Sequence, residues 1–203
     1  SYTGTFDGGG HTITGLTVTT NGQYAGLFGC IGSGGKVQNV VLEGVQITSD
    51  NSSGYAGGVA GYCYEGTLEN CSVSGSVSGS GSSSDVGGVV GSQWGGSITG
   101  CSSSATVKGT QRAGGVAGST NYDATLTACY ATGDVTVEND GTSNAWAGGV
   151  VGSNAYCTVI ACYAAGNVSG TIHVGGVTGE NFDGTLTACY WSCLLYTSDA
   201  ADD

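Results

Sequence analysis

The sequence predicts an all-β protein, a right-handed parallel β-solenoid of about six coils with three short strands in each coil. A short glycine-bounded motif recurs six times along the 203 residues, at intervals of 27 to 34 residues. The same apolar positions follow each copy. The composition disfavours a helical core. Gly accounts for 41 residues, Val and Thr recur throughout the chain, and all three are poor helix formers.

The first block of each repeat has the form Gly, Leu or Val, any residue, Gly. Its six copies span residues 26–29, 58–61, 88–91, 115–118, 149–152 and 176–179. A further Gly precedes every copy except the first. The valines after the first Gly should stack inside the solenoid, namely Val59, Val89, Val116, Val150 and Val177.

A second block follows each copy, and a third apolar position closes most repeats. The second block ends in Val40 in the first repeat and in Cys in the other five. The closing positions are Val77, Val107, Val135 and Val168. Short runs of Val, Ile, Thr and Tyr between Gly, Ser and Asn are typical of strands. One such repeat cannot bury its own apolar face, so neighbours must stack, each adding about 4.8 Å of height.

We assign residues 1–192 to one repeat-built segment. A partial coil occupies residues 1–24, and full coils start near residues 25, 57, 87, 114, 148 and 175. The unequal intervals place insertions in loops, chiefly at 78–84 and 138–144. Residues 193–203 match no repeat and look like a translated frame of a transposase adaptor used in sequencing-library preparation, so we expect a non-native tail.

The negative net charge argues against some classes of binding partner. The chain has 15 acidic and 3 basic residues, a net charge of −12. Without residues 193–203, 12 acids against 3 bases leave −9. Such a chain repels phosphate backbones, so we expect no nucleic-acid binding. Because no stretch of about 18 apolar residues exists, we also expect no membrane insertion.

Five cysteines occupy one column of the repeat, namely Cys71, Cys101, Cys129, Cys162 and Cys189. Val40 fills this column in the first repeat, so we interpret it as an interior column of free thiols. Disulfides are the alternative, but stacked strands hold Cβ atoms about 4.8 Å apart, and a disulfide needs about 3.5–4.5 Å. A metal site is less favoured, since metal ligands converge on a point.

Two further points concern the cysteines outside the column and the effect of a substitution within it. Cys30, Cys63 and Cys157 lie off the column, and their state is not assigned. A hydroxyl inside the column should lack a hydrogen-bond partner, so Cys129→Ser should cost about 1–3 kcal/mol.

Five aromatic residues, the corner aromatics, fall six or seven residues after the Gly that opens the first block of their repeat. They are Tyr64, Trp94, Tyr122, Tyr156 and Phe182. In-register stacking would set them about 4.8 Å apart as one exposed strip, able to hold a glycan against the ring faces. We favour the alternative that the rings stack on each other and shield the corner. A shorter column, Tyr130, Tyr163 and Tyr190, follows the cysteines and should point outward.

The remaining polar residues favour structure over catalysis. Residues 121–123 and 181–183 contain Asn and Asp in equivalent turns, where these side chains cap their own backbone; calcium binding is the alternative. Only His11 and His173 are present, and no nucleophile-elbow or zinc-protease motif occurs. We therefore expect no catalytic residues, no metal and no cofactor.

The repeat resembles the GLUG repeat of bacterial surface proteins. The resemblance rests on the Gly-Leu/Val-X-Gly block followed by a Cys-Tyr-Ala-Thr-Gly-type block, and covers essentially residues 1–192. The opening segment 4–16 is similar to segments that often precede such repeats. The first copy departs from the pattern at Phe28 and Val40. The family includes large adhesin-like proteins and non-catalytic parts of some immunoglobulin A peptidases.

This resemblance implies a non-enzymatic extracellular segment of a larger bacterial cell-surface protein, acting as a stalk or an adhesive surface. One alternative is a carbohydrate-binding module using the corner aromatics. A remoter one is a non-catalytic part of a secreted peptidase or polysaccharide lyase. The expected partners are a host-surface or cell-wall glycan or protein, and flanking segments of the same parent chain.

Overall fold

The protein is a stack of short parallel strands. The computed structural model describes residues 1–82, 84–138 and 144–192. Throughout these residues every regular element is a β-strand, and every strand pairing between coils is parallel. This arrangement confirms the predicted parallel β-solenoid of about six coils. The proposed tail, 193–203, and most of the insertion at 138–144 lie outside the described residues.

Each full coil crosses four sheets, which we number as faces 1 to 4 in chain order. Face 1 contains β4 (Tyr24–Ala25), β8 (Tyr55–Gly57), β12 (Asp85–Gly87), β17 (Arg112–Gly114), β22 (Trp146–Gly148) and β27 (His173–Gly175). Face 2 contains β5 (Phe28–Ile31), β9 (Ala60–Tyr64), β13 (Val90–Trp94), β18 (Ala117–Asn121), β23 (Val151–Ala155) and β28 (Thr178–Phe182).

The other two faces complete the coil and include the strands at the amino end of the chain. Face 3 contains β1 (Thr5–Asp7), β6 (Lys36–Gln38), β10 (Thr67–Glu69), β14 (Ser97–Thr99), β19 (Thr125–Thr127), β24 (Thr158–Ile160) and β29 (Thr185–Thr187). Face 4 contains β2 (Thr12–Thr14), β3 (Thr17–Thr20), β7 (Val41–Ser49), β11 (Ser72–Gly79), β15 (Ser102–Ser103), β16 (Thr106–Gly109), β20 (Tyr130–Ala131), β21 (Val135–Val137), β25 (Tyr163–Ala164), β26 (Val168–Ser169) and β30 (Tyr190–Trp191).

Residues 1–24 stack on the first full coil. Strand β1 pairs with β6 on face 3, and both β2 and β3 pair with the long strand β7 on face 4. An isolated bridge between Tyr2 and Ile31 continues face 2. The amino-terminal segment therefore covers three of the four faces.

The four faces differ from the three strands per coil that the sequence predicted. The chain bends sharply at the paired glycines, so one expected strand becomes two. In the second coil, β8 on face 1 ends at Gly57 and β9 on face 2 starts at Ala60. The sequence pattern could not reveal this bend, because apolar residues stand on both sides of the glycines and the segment looks like one continuous strand.

The bend brings the backbones of faces 1 and 2 into contact. A Cβ added at Gly57 would lie 2.6 Å from Gly91 N, and one added at Gly61 would lie 2.7 Å from Tyr55 O. Gly91, one coil further, would meet Gly61 O at 2.5 Å and Ala56 N at 2.7 Å. Real side chains cannot approach backbone atoms so closely. Gly is therefore required for steric reasons both at the position before the block, as at Gly57, and at the position that closes it, as at Gly61 and Gly91.

The interior contains the apolar columns that the sequence predicted. Val59, Val89, Val116 and Val150 are fully buried, whereas Val177 is half-buried in the last described coil. Leu68, Ile98, Leu126 and Val159 form the matching interior column of face 3, each with no exposed surface. Because each column continues from coil to coil, every inner coil buries its apolar residues between two neighbours.

We expect Gly91→Ala to destabilise the fold by at least about 1–3 kcal/mol, because the new methyl group would collide with backbone atoms of two coils. Gly29 is the matched control. It occupies the same motif position in the first repeat, but an added Cβ there would lie 3.7 Å from its nearest neighbours, both in Tyr24. Thermal or denaturant unfolding measures both variants, and equal stability of the two would contradict the steric explanation.

Candidate functional site

The corner aromatics lie where face 2 turns toward face 3. Tyr64, Tyr122, Tyr156 and Phe182 are 41%, 62%, 54% and 51% exposed, and Trp94 is half-buried. They therefore share one edge of the solenoid, as the sequence indicated.

The expected single register of these rings is wrong. Trp94 pairs with Tyr64 on one side and with Asn121 on the other. Tyr122 lies one residue past this register with a φ of 55°, and Tyr156 is displaced in the same way with a φ of 59°. The two registers correspond to the two spacings in the sequence. Tyr64, Trp94 and Phe182 lie six residues after the Gly that opens their block, and Tyr122 and Tyr156 lie seven residues after it.

The rings group in pairs instead of forming one ladder. The ring centroids of Trp94 and Tyr122 lie 3.9 Å apart with an interplanar angle of 20°. Tyr156 and Phe182 meet edge to face at 5.2 Å and 86°. The corner rings are therefore exposed and also cover one another in pairs.

A groove runs along the concave bend between faces 1 and 2. One wall is the outward column of face 1, from which Tyr24, Tyr55, Asp85 and Arg112 line the groove. Trp146 and His173 continue this column in register beyond the lining. The floor is a column of face 2, which contains Tyr62, Ser92, Ser119, Ser153 and Glu180 in register. The cavity has a volume of about 450 Å³, and its other side includes Trp94 and Phe182.

The amino end of the groove is aromatic. Tyr24, Tyr55 and Tyr62 lie with ring centroids 5.5 to 5.8 Å apart. Burial raises the pKa of Tyr62 to about 12, and the neighbouring tyrosines act in the same direction. Burial also raises the pKa of Tyr55, followed in effect by the charge of Asp85. The phenols of Tyr55 and Tyr62 therefore stay protonated at neutral pH and can donate hydrogen bonds.

The centre of the groove holds a buried polar cluster around Asp85. Arg112 donates from Nη1 to Asp85 Oδ1 at 3.0 Å, and Ser119 donates to Oδ2 at 2.6 Å. Ser119 Oγ also lies 2.8 Å from Ser92 Oγ. The guanidinium carbon of Arg112 lies 5.0 Å from the centre of the Trp146 ring. Burial raises the pKa of Asp85, while Arg112 and Ser119 oppose that rise.

The carboxyl end of the groove continues the polar floor. Ser153 donates to Glu180 Oε2 at 2.7 Å. In the continuation of the face 1 column, Trp146 stacks on His173 with ring centroids 6.0 Å apart. Sequence reasoning missed this groove. The residues of its wall and floor differ in type from coil to coil, so they form no repeated sequence motif. In addition, the two columns face each other only because of the bend between faces 1 and 2.

The cysteine column lies inside the solenoid. Cys71, Cys101, Cys129 and Cys162 are buried, Cys189 is half-buried, and the eight cysteines of the described residues are free thiols. Each column thiol lies 3.3 to 3.5 Å from the carbonyl oxygen two residues earlier in the chain. A serine hydroxyl would find the same acceptor, so the expectation that Cys129→Ser leaves a hydroxyl without a partner is wrong.

The unassigned thiols have distinct surroundings. Cys63 lies in a second interior column on face 2, which starts at Ile31 and continues through Gln93, Thr120 and Asn154. In this column Thr120 donates to Asn154 Oδ1 at 2.7 Å, and Asn154 donates to Asn181 Oδ1 at 2.6 Å. Burial raises the pKa of Cys63 to about 12. Cys157 is buried at the following turn, and Cys30 is half-buried on the outer side.

The tyrosines after the cysteine column form a true ladder. Tyr130, Tyr163 and Tyr190 are in register on face 4, with ring centroids 5.1 and 5.2 Å apart and interplanar angles of 6°. Tyr130 and Tyr190 are 39% and 57% exposed. The inner ring faces cover each other, so the ladder presents mainly edges and hydroxyls to solvent.

All three basic side chains make ion pairs between neighbouring coils. Lys36 and Lys108 pair with Glu69 and Glu138 at 2.7 and 2.8 Å, and Arg112 pairs with Asp85. Within the described residues, no group of three or more His, Cys, Asp or Glu side chains is arranged to hold a metal ion. The same residues contain no long apolar helix of the kind that crosses a membrane.

The stacked coils, repeated columns and lateral groove define a parallel β-solenoid assembled from one repeated unit. The GLUG motif model matches three of these repeats, at residues 52–78, 82–108 and 109–136. The resemblance inferred from the Gly-Leu/Val-X-Gly blocks is therefore confirmed.

Two curated proteins match parts of the chain. Halomucin of Haloquadratum walsbyi is 41% identical over 81 residues, which is 39% of this chain and 1% of halomucin. A protein of Evansella cellulosilytica, provisionally named a Gly-rich membrane protein, is 40% identical over 73 residues, or 36% of this chain and 8% of that protein. The alignments thus span only a small part of either relative.

One solved structure has the same architecture. It is a chain from Bacteroides ovatus provisionally named an immunoglobulin A1 protease, with a TM-score of 0.60 and 21% identity. The match covers 93% of this chain and 68% of the other. At this identity the likeness establishes a shared fold and nothing about activity.

We expect Cys63, Cys101 and Cys129 to resist a thiol reagent at pH 8 in the folded protein, because only thiolates react and these thiols are buried. The neighbouring thiol and burial raise the pKa of both Cys101 and Cys129. Cys30 and Cys189 are half-buried and should react first. A timed thiol titration measures this order, with the denatured chain as control, and fast labelling of Cys101 or Cys129 in the folded state would contradict it.

Proposed function

We propose that this chain is a non-enzymatic, extracellular repeat segment of a larger surface protein, where it acts as a stalk or an adhesive surface. The observation that carries this proposal is the continuous register between coils. From the first full coil to the last described one, each coil pairs in parallel with the next on all four faces. A segment built in this way transmits load along its axis through successive ladders of backbone hydrogen bonds.

Side-chain contacts between coils support the same role. The three ion pairs each join neighbouring coils, and the tyrosine ladder and the cysteine column run parallel to the axis. Exposed ion pairs contribute little individually, so the interior columns supply most of the cohesion. The names of the two curated relatives, a mucin and a Gly-rich membrane protein, favour a cell-surface setting.

Carbohydrate binding is the second candidate function, and the exposed corner aromatics favour it. Their rings are large, partly solvent-exposed and arranged along the axis, which suits repeated weak contacts with a glycan chain. A remoter possibility, a non-catalytic part of a secreted peptidase or polysaccharide lyase, draws on the fold shared with the Bacteroides ovatus chain. Titration of soluble glycans separates the first two roles, since a simple stalk binds none.

We expect single-molecule pulling on the two ends of the chain to release one coil at a time. The repeat interval of 27 to 34 residues corresponds to about 9–12 nm of extended chain per event. The physical reason is that each coil contacts only its neighbours, so an end coil can detach while the rest stays folded. A chain carrying Gly91→Ala should first fail beside that position. Complete unfolding in a single low-force event would contradict a load-bearing stalk.

A further inference from the structure

We propose that the groove between faces 1 and 2 binds an uncharged oligosaccharide, laid parallel to the solenoid axis. This inference rests on the carbohydrate-binding candidate above and assigns it to a groove that shares only Trp94 and Phe182 with the corner aromatics. The groove is defined by the face 1 wall from Tyr24 to Arg112 and by the face 2 floor from Tyr62 to Glu180.

The shape of the groove suits a linear ligand. Its lining extends from Tyr24 in the first full coil to Glu180 in the sixth. Five steps of about 4.8 Å give a length of about 24 Å. The volume of about 450 Å³ lies within the ordinary range of about 300–1,000 Å³ for small-molecule sites. Because the backbones of the two faces touch at the bend, the cleft is fixed by the fold and is present without the ligand.

The lining offers the two kinds of contact that a sugar needs. Tyr24, Tyr55 and Tyr62 at one end supply apolar ring surface, mainly ring edges because Tyr24 stacks on both of the others, against which the C–H faces of a sugar can pack. The floor supplies hydroxyl groups from Ser92 and Ser153, which can exchange hydrogen bonds with sugar hydroxyls.

The charges of the groove favour an uncharged ligand. Asp85 and Arg112 neutralise each other at 3.0 Å, while the Glu180 carboxylate has no basic side chain among its hydrogen-bond partners. The protein as a whole carries an excess of acids, so an anionic sugar would be repelled. Asp85 and Trp146 also hold the Arg112 guanidinium in place, so little side-chain ordering is required when a ligand arrives.

The aromatic groups outside the groove are also stacked, as Tyr24 and Tyr55 are inside it, so the groove differs from them by its polar floor. Trp94 and Tyr122 cover each other at 3.9 Å, and the tyrosine ladder on face 4 covers its own inner faces in the same way. Trp94 and Phe182 also line the groove. The corner rings therefore form one side of the site, and the ligand lies beside them.

The experiment measures binding of neutral and anionic oligosaccharides of about four to six units to the 203-residue chain by calorimetry. Two groove variants, Tyr24→Ala and Glu180→Gln, change partly exposed side chains whose loss leaves the core intact. The corner variant combines Tyr122→Ala with Tyr156→Ala. The matched control is Tyr190→Ala, which removes an exposed tyrosine on face 4. Thermal unfolding of each variant checks that the fold is retained.

We expect a neutral oligosaccharide to bind and an anionic one of the same length to bind at least about tenfold more weakly. Tyr24→Ala should weaken binding of the neutral oligosaccharide about tenfold, and Glu180→Gln should reduce the discrimination against the anionic one, while the corner variant and Tyr190→Ala should bind as the unaltered chain does. Loss of binding in the corner variant alone would overturn the groove but leave the corner strip as the carbohydrate site. Absence of binding to every neutral oligosaccharide would overturn both, and would leave the stalk role standing.

Discussion

The close approach of two backbones at the paired glycines is the constraint on which the rest of the structure depends. Cβ atoms at Gly57, Gly61 and Gly91 would come within 2.5 to 2.7 Å of backbone atoms on the facing sheet or the next coil. With Gly in these places the chain folds inward between faces 1 and 2. Every coil then has the same cross-section, which allows strands of successive coils to pair in register despite intervals that vary from 27 to 34 residues.

The same bend determines which side chains meet on the outside. On a convex surface the outward columns of neighbouring sheets diverge, but here the columns of faces 1 and 2 converge. Asp85 on face 1 thereby receives hydrogen bonds from Arg112 on its own face and from Ser119 on face 2. The groove is thus a consequence of the glycine motif, and its chemistry varies along the axis because each coil contributes a different residue.

The interior shows how a chain with few large apolar residues maintains a core. Val, Leu, Ile, Ala and Cys fill narrow columns, and polar residues are accepted where they can bond to the next coil. Thr120, Asn154 and Asn181 form such a ladder, and the column thiols lie near carbonyl oxygens of their own strand. The neighbouring thiol and burial raise the pKa of Cys101 and Cys129, so these free cysteines can persist in a segment that is proposed to be extracellular.

The sequence by itself determined the repeat, the parallel stacking and the interior columns, because these follow from residue type at fixed spacing. It located Val59 and Cys129 inside and the corner aromatics at one edge. Tertiary structure alone decided the fourth face, the two registers of the corner rings and the existence of the groove. Register depends on one-residue differences in turn length, as at Tyr122, and the groove depends on which columns a bend brings together. Neither property is visible as a repeated residue type in the sequence. The groove wall, for example, contains Tyr55, Asp85 and Arg112 at equivalent positions.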